Sequence, residues 1–521
     1  MPLVPLQLPP GVYRNGTEYQ TQGRWQDASL VRWIDGTMQP VGGWVARGSV
    51  STHAPRGALS WRALGNSSYA AVGTFNSLRV LLNSVVSFTV PATWADATTW
   101  SDASSWSDTS ISILTGGIDI TPLDLTAGRL DAAPPVGYGS GFYGNSNYGV
   151  PASAPSPFAP ATTWSLDNWG EFLVACSPDD GRLLEWQLDT SQRAAPILNA
   201  PTGNAALVVT EERFLVALGA GGNPRKVQWS DREDNTTWSP AATNEAGDIE
   251  LQSPGQIMLG LRARGQTLIL TDQDAHTMTY VGPPFVYGFE RIGQSCGAIS
   301  RKCAVSVDNG TYWMGKNGFF RFAGGAVEEI ACDVSDYVFS DMNTQQMSKV
   351  WAVANADFSE VWWFYPSALS MEIDRYVSYS YREGHWSIGA LARTAGVDAG
   401  VFPHPIWWSP AGVTHDHETG VQYGNAPIFA ESGPVQLGQG DQVLSAVELI
   451  PDEKTRGDVT VTFSTRFHPN DTERSYGPYS MANPTPVRFT GRQATMRVSG
   501  ARQADWRFGI PRLDVRAGGR R

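Results

Sequence analysis

Four cysteines in 521 residues, at 176, 296, 303 and 332, include no C-x-x-C pair, and their spacings do not match a zinc site. Reduced, partly buried thiols are the expectation. Charge is scarce too: Asp, Glu, Lys and Arg make up 17%, below the usual quarter. No apolar run approaches eighteen residues, so no membrane-spanning helix is expected. The opening "MPLVPLQLPPGVYRNG" lacks a basic n-region and is broken by prolines, which argues against a signal peptide. No H-E-x-x-H occurs, and no Cys/His arrangement suggests a nucleophile. An enzyme is not expected, nor a cofactor, nor a bound metal. The net charge of −12 argues against general affinity for nucleic acid, because phosphates would be repelled.

Turn formers and aromatics are plentiful instead: 54 Gly, 34 Pro, 20 Trp, 20 Phe and 17 Tyr. That mixture predicts an all-β chain with many tight turns. The clearest local pattern is "AVSVDNGTYWMGKNGFFRFAGG" (304–325), three short strands joined at "DNG" and "KNG". Similar hairpin grammar starts near 164, 206, 257, 304, 350 and 401, with an earlier candidate over 58–90. Spacings of 42, 51, 47, 46 and 51 residues suit one four-stranded sheet per unit, the length of a propeller blade. The predicted fold is therefore a β-propeller of six or seven blades over 51–430, with a sandwich of the same hairpins as the alternative. An N-terminal extended arm (1–50) precedes it. An additional C-terminal β-layer (431–521) follows, read from alternating segments such as "GDVTVTFSTRF".

Two regions break the blade pattern. Residues 91–160 read as a loop-rich insertion, ending in "GYGSGFYGNSNYGVPASAPSPFAP". Its first part, "WADATTWSDASSWSDT" (94–109), sets Trp94, Trp100 and Trp106 six residues apart. WD-repeats have a period of about forty residues, so they are excluded. An even spacing puts all three rings on one strand face, whereas six helical steps turn about 240° and scatter them. Short hairpins or a surface aromatic ladder fit best, and a sugar- or partner-binding platform is the functional alternative. At the other end, residues 484–521 hold nine Arg against Asp505 and Asp514, a local +7 on a body of −19. Arg507, Arg512 and Arg516 are the candidate docking residues of this basic tail.

Three motifs approach chemistry and stop short. "GTYWMGKN" (310–317) has a phosphate-loop skeleton, but Asn317 replaces the magnesium-binding hydroxyl and the context is strand–turn–strand. "SVDNGTYW" (306–313) resembles the Asp-box that folds blade turns in sialidase-type propellers, departing at Tyr312. "THDHETG" (414–420) is the only histidine cluster. On a strand His415 and His417 share a face and Glu418 takes the other, so three metal ligands would need a bend, and a plain turn is the simpler reading.

The first fifty residues carry a resemblance. "GVYRNGTEY", "GRW" followed by Asp27, "LVRW" and "PVGGW" within 9–44 resemble the opening of tail nozzle proteins, or head-to-tail hub proteins, of short-tailed bacteriophages. The succession of hairpins, "NGFFRF", "HETG" and an Arg-rich strand-forming end is similar in order. The resemblance implies a virion protein, made in the host bacterial cytoplasm, that forms a sixfold ring under the portal and its adaptor ring. Such a ring continues the channel for viral double-stranded DNA and carries a tail needle or fibres. Arg14, Arg24, Trp25, Arg32 and Trp33 are candidate subunit or adaptor contacts, since Arg and Trp are favoured interface anchors. Packing of the arm on its own propeller is the competing reading. A carbohydrate-binding tail propeller using Trp94, Trp100 and Trp106 is the alternative function.

Overall fold

A computed structural model describes residues 3–17, 19–83, 117–134, 158–436, 443–467, 471–501 and 504–517. Seven of the four-stranded antiparallel sheets follow one another along the chain, covering 58–119, 165–196, 206–250, 257–294, 304–330 and 351–390, and the last combining 395–417 with a strand from the N-terminal region. The first strands of these sheets, Ala58–Arg62, Ser165–Trp169, Ala206–Val209, Ile257–Ala263, Ala304–Val307, Trp351–Asn355 and Ala395–Val397, pack side by side in a closed circle. The chain is an all-β protein built on a seven-bladed propeller. The 304–325 hairpins fall where the Asn-Gly turns put them, as strands Ala304–Val307, Gly310–Met314 and Phe319–Ala323.

The seventh blade is completed by the chain's beginning. Trp44–Ser49 pairs antiparallel with Val413–His417, with Trp44 opposite His417 and Val45 opposite Asp416. The segment read as an extended arm is thus largely integrated. Leu3–Pro5 lies beside Arg512–Ala517, Trp25–Ser29 beside Phe429–Ser432, and Val31–Ile34 with Thr37–Pro40 forms a hairpin. The boundary at residue 50 dissolves because the propeller needs a fourth strand in blade seven, and an open sheet edge is costly. The insertion is interrupted in the same way: Ile118–Asp119 is the fourth strand of blade one, and Ala133 bridges to Ala159.

Two further sheets form the C-terminal layer. One runs Leu3–Pro5, Arg512–Ala517, Leu444–Ile450, Thr485–Gly491; the other runs Trp25–Ser29, Phe429–Ser432, Gln493–Gly500, Val459–Arg466, Arg474–Ser480. Val459, Val461 and Phe463 alternate inward, as do Val487, Phe489, Leu513 and Val515. These side chains join the same buried cluster as Trp313, Trp362, Trp363 and Trp386 of blades five and six, so propeller and layer share one core. Much of the tryptophan content is therefore structural. Trp362 stacks on Tyr376 at 4.5 Å between centroids, and Phe319 meets Trp386 at 4.6 Å.

Between blades four and five the chain passes close to its own backbone. A Cβ on Gly297 would lie 2.1 Å from the carbonyl carbon of Asp272 and 2.3 Å from the nitrogen of Gln273. Neither atom can swing aside as a side-chain end would. Gly297→Ala should therefore cost about 1–3 kcal/mol, the usual range for overpacking, measured as a lower urea midpoint. An unchanged midpoint would mean that this junction is slack.

Candidate functional site

Arg32 shows what became of the anchors expected in the first fifty residues. It emerges from the Val31–Ile34 strand into a site where its side chain is 3% exposed. Its Nη1 donates to Oε2 of Glu418 at 3.0 Å, and Nη2 donates to Oε1 of Glu418 at 2.6 Å and to Oε2 of Glu360 at 3.0 Å. Its guanidinium also stacks on Phe358, 3.7 Å from the ring centre. Further donors complete the carboxylates: Gly42 N and Asn355 Nδ2 on Glu418, and Trp362 Nε1 on Glu360, at 2.8–2.9 Å. Burial pushes the Glu360 carboxyl up while the Arg32 charge opposes it, and the two carboxylates hold Arg32 protonated. The triad fastens the N-terminal hairpin to blades six and seven.

The other four anchors are engaged within the chain as well. Trp25 and Trp33 are each 3% exposed and lie against one another, 6.0 Å between centroids. Arg14 pairs with Asp27 at 3.1 Å and lies 4.0 Å over Tyr337; Arg24 pairs with Asp333 at 3.3 Å and faces Tyr13. Arg32, Trp25 and Trp33 are thus corrected from subunit contacts to internal ones: a chain that closes a propeller with its own N-terminal region must bury that region's anchors. Arg14 and Arg24 keep partial exposure on their pairs.

The basic end is a strand and not a free tail. Arg512–Ala517 runs between Leu3–Pro5 and Leu444–Ile450, with Leu513 and Val515 inward and Arg512 and Arg516 exposed on the other face. Arg507 stands apart, in an ion pair with Asp505. Trp94, Trp100 and Trp106 lie outside the described residues.

"THDHETG" separates into two environments. Thr414 to His417 belong to the third strand of blade seven, and Glu418 takes φ 57° to turn out of it. His417 is buried, and its Nε2 accepts from Arg393 Nε at 2.9 Å, while Glu418 faces Arg32. A guanidinium at 2.9 Å occupies the lone pair a metal would need, and His417 and Glu418 serve different arginines. Among the described residues no group of three potential ligands is assembled. Burial and the Arg393 charge hold His417 well below the usual imidazole value, and His415 is lowered to about 4. An unfolded histidine binds its proton near pH 6.5, roughly its ordinary value. The unfolded state therefore binds more protons below that pH, and stability falls as pH drops from about 6.5 toward 4. Urea midpoints at pH 7.5 and 5 should show this loss, and His417→Gln should reduce the difference; equal slopes in both proteins would remove His417 from the account.

One pattern escaped the sequence reading. "GQSCG" (293–297) spells G-x-S-x-G, and Ser295 is exposed with φ 57° at the rim of a groove of about 600 Å³. The nucleophile elbow requires strand, turn and helix. Here Val286–Gln294 leads to an isolated bridge at Ala298, and no histidine lines the groove. The phosphate-loop and Asp-box skeletons likewise form strand–turn–strand, the latter with Ser306 and Thr311 hydroxyls 2.9 Å apart.

A smaller concave site draws on five blades at the start of their innermost strands. A cavity of about 170 Å³ opens where the innermost strands begin, lined by Arg56 and Gly57 of blade one, Thr163 of blade two, Lys302 of blade five, Lys349 and Trp351 of blade six, and Thr394 of blade seven. Arg56 is held by Glu372 at 2.9 and 2.5 Å, and Lys349 by Asp131 and the Met371 carbonyl, both at 2.5 Å. Burial would raise Glu372, but the Arg56 hydrogen bond and charge outweigh it and hold the carboxyl low. Burial and the neighbouring Arg56 lower the Lys349 ammonium. Lys302 has only the more distant charge of Asp167, and burial lowers it to about 8. No motif announced this cluster, yet a signal exists. Arg56, Lys302, Lys349 and Arg393 each stand two residues before an innermost strand, so the fold gathers cations from four of the seven blades around one axis. Arg393 alone turns away, to His417 and Trp44.

No family model matches the chain, and no curated protein is detectably similar to it. Among solved structures, a catalytically inactive virginiamycin B lyase from Staphylococcus aureus with quinupristin aligns at 7% identity over 64% of this chain and 94% of its own, with TM-score 0.33. YCF48 bound to D1 peptide aligns at 8% over 74% and 99%, TM-score 0.37, and the N-terminal domain of Nup159 at 9% over 75% and 98%, TM-score 0.32. At these values the similarity carries nothing about activity; the propeller assignment rests on the seven sheets themselves.

Proposed function

We propose that this chain is a non-catalytic structural subunit of a short-tailed phage tail, a nozzle or hub ring below the portal and adaptor. In that role it extends the DNA channel, helps retain and eject the genome, and anchors a needle or fibres. One observation carries the reading beyond the resemblance itself. The residues of "GVYRNG", "GRW", "LVRW" and "PVGGW" that resemble nozzle proteins are those that stitch the propeller to the β-layer: Arg14 on Asp27, Trp25 in the shared core, Arg32 on its two glutamates, Trp44 in blade seven. A part that transmits force between a capsid and a tail benefits from chain ends held inside sheets.

The propeller axis is not the DNA channel. Its cavity of about 170 Å³ is smaller than the roughly 300–1,000 Å³ of a drug-sized ligand site, far below what a duplex needs. The channel then lies between protomers, and a ring of this kind repeats one heterologous interface around its axis. A net charge of −12 would let DNA slide where a basic wall would grip it. Particles assembled without this chain should package DNA but lose it on standing, with infectivity falling by orders of magnitude. Particles that keep both genome and infectivity would refute the assignment.

A further inference from the structure

We propose that the axial cavity binds a small free oxyanion, an inorganic phosphate or a short carboxylate, with Lys302 as its principal ligand and Arg56 as part of its wall. The argument begins with charge. Arg56 and Lys349 have carboxylate partners in Glu372 and Asp131, so they add little uncompensated charge. Only the backbone of Lys302 is hydrogen-bonded among the described residues, its N–H donating to Ser300 Oγ and its carbonyl accepting from Ala352 N, while its ammonium has no such bond or ion pair; Asp167, the carboxylate that acts on it from a distance, is already taken by Arg262 and the Val209 amide. Arg301 next to it donates only to the carbonyls of Ala205 and Met258, at 3.3 and 3.4 Å. Lys302 is thus the cavity-lining cation whose charge no paired carboxylate offsets among the described residues. Lys302 is half-buried, and an anion bound beside its unpaired ammonium gains a charge-assisted contact.

Size narrows the class. At about 30 Å³ per water, 170 Å³ holds the volume of five or six waters, enough for phosphate or acetate with some hydration and too little for a nucleotide. Thr163 lines the same space and can supply a hydroxyl donor, while the Thr394 hydroxyl donates to the Trp408 carbonyl. The lowered Lys302 value sets the pH range: its ammonium is largely charged at pH 7 and largely neutral by pH 9.5, while Arg56 stays charged throughout.

The test is the thermal midpoint of the full chain in phosphate, and separately in acetate, against chloride at equal ionic strength. Binding to the folded state alone raises the midpoint progressively with ligand concentration. The expected result is a rise of several degrees at pH 7 that disappears at pH 9.5, is lost in Lys302→Met, and persists in Lys316→Met, a control at the Ser295 groove. A rise with one anion only assigns the class. No rise above chloride with either anion, or an equal rise in Lys302→Met, overturns the proposal. Phosphorus NMR of the unmodified chain gives an independent reading: phosphate line broadening at pH 7 that vanishes at pH 9.5 supports the site, and broadening equal at both pH values contradicts it.

Discussion

Arg32→Met should lower the unfolding free energy by about 3–5 kcal/mol, the cost of leaving buried charge without its partner. The guanidinium is the only cation bonded to Glu360 and Glu418 among the described residues, and all three side chains are no more than 9% exposed. Methionine fills a similar volume but leaves two carboxylates facing each other across a dry gap. Both would then take up protons more readily folded than unfolded, so the variant should regain part of its stability as pH falls toward 5, opposite to the histidine effect. Adding Glu360→Gln and Glu418→Gln to the variant should recover a substantial part of the loss by removing the repulsion. Urea unfolding of the three proteins measures this directly. A loss below about 1 kcal/mol would place Arg32 in the class of exposed ion pairs and reopen it as a surface contact.

Removing residues 1–49 is expected to abolish the cooperative fold altogether. The deletion takes away the outer strand of blade seven and one edge strand from each sheet of the C-terminal layer. It also strips Val12, Trp25, Leu30, Val31, Trp33, Met38 and Val41 from the shared core. At about 1.5–3 kcal/mol for each large side chain, the loss reaches or exceeds the 5–15 kcal/mol by which a typical protein is stable. The truncated chain should be insoluble, or expanded with its near-UV circular dichroism lost, and co-expression of 1–49 as a separate peptide should rescue it. A soluble truncated chain with an unchanged urea midpoint would restore the reading of this segment as a free arm.

The contrast between arm and strand shows where sequence reasoning reached. Local signals were dependable: "DNG" and "KNG" fixed the hairpins of blade five, and the starts expected near 164, 206, 257, 304 and 350 lie within one residue of observed innermost strands. The start expected at 401 missed Ala395–Val397, because a three-residue strand with a central glycine has no alternation to read. Closure of blade seven joins the two ends of the propeller segment, and no local period records such a pairing. The Arg and Trp residues of the first fifty were read as interface anchors because both types are favoured at interfaces; the partners of Arg32, Glu360 and Glu418, lie more than three hundred residues away. The axial cations were legible in principle, as a basic residue two positions ahead of four innermost strands, but only once the strand starts were known. The Arg-rich C-terminal end was legible as strand from its alternation, but its partners, Leu3–Pro5 and Leu444–Ile450, were not, since pairings across such distances leave no local pattern.

The central claim, a structural ring subunit at the tail, is tested most directly by counting this chain in purified particles by quantitative mass spectrometry against the portal protein. A sixfold nozzle below a twelvefold portal predicts about half the portal's copy number. A count well above the portal's, or absence of the chain from the particle, would contradict the account.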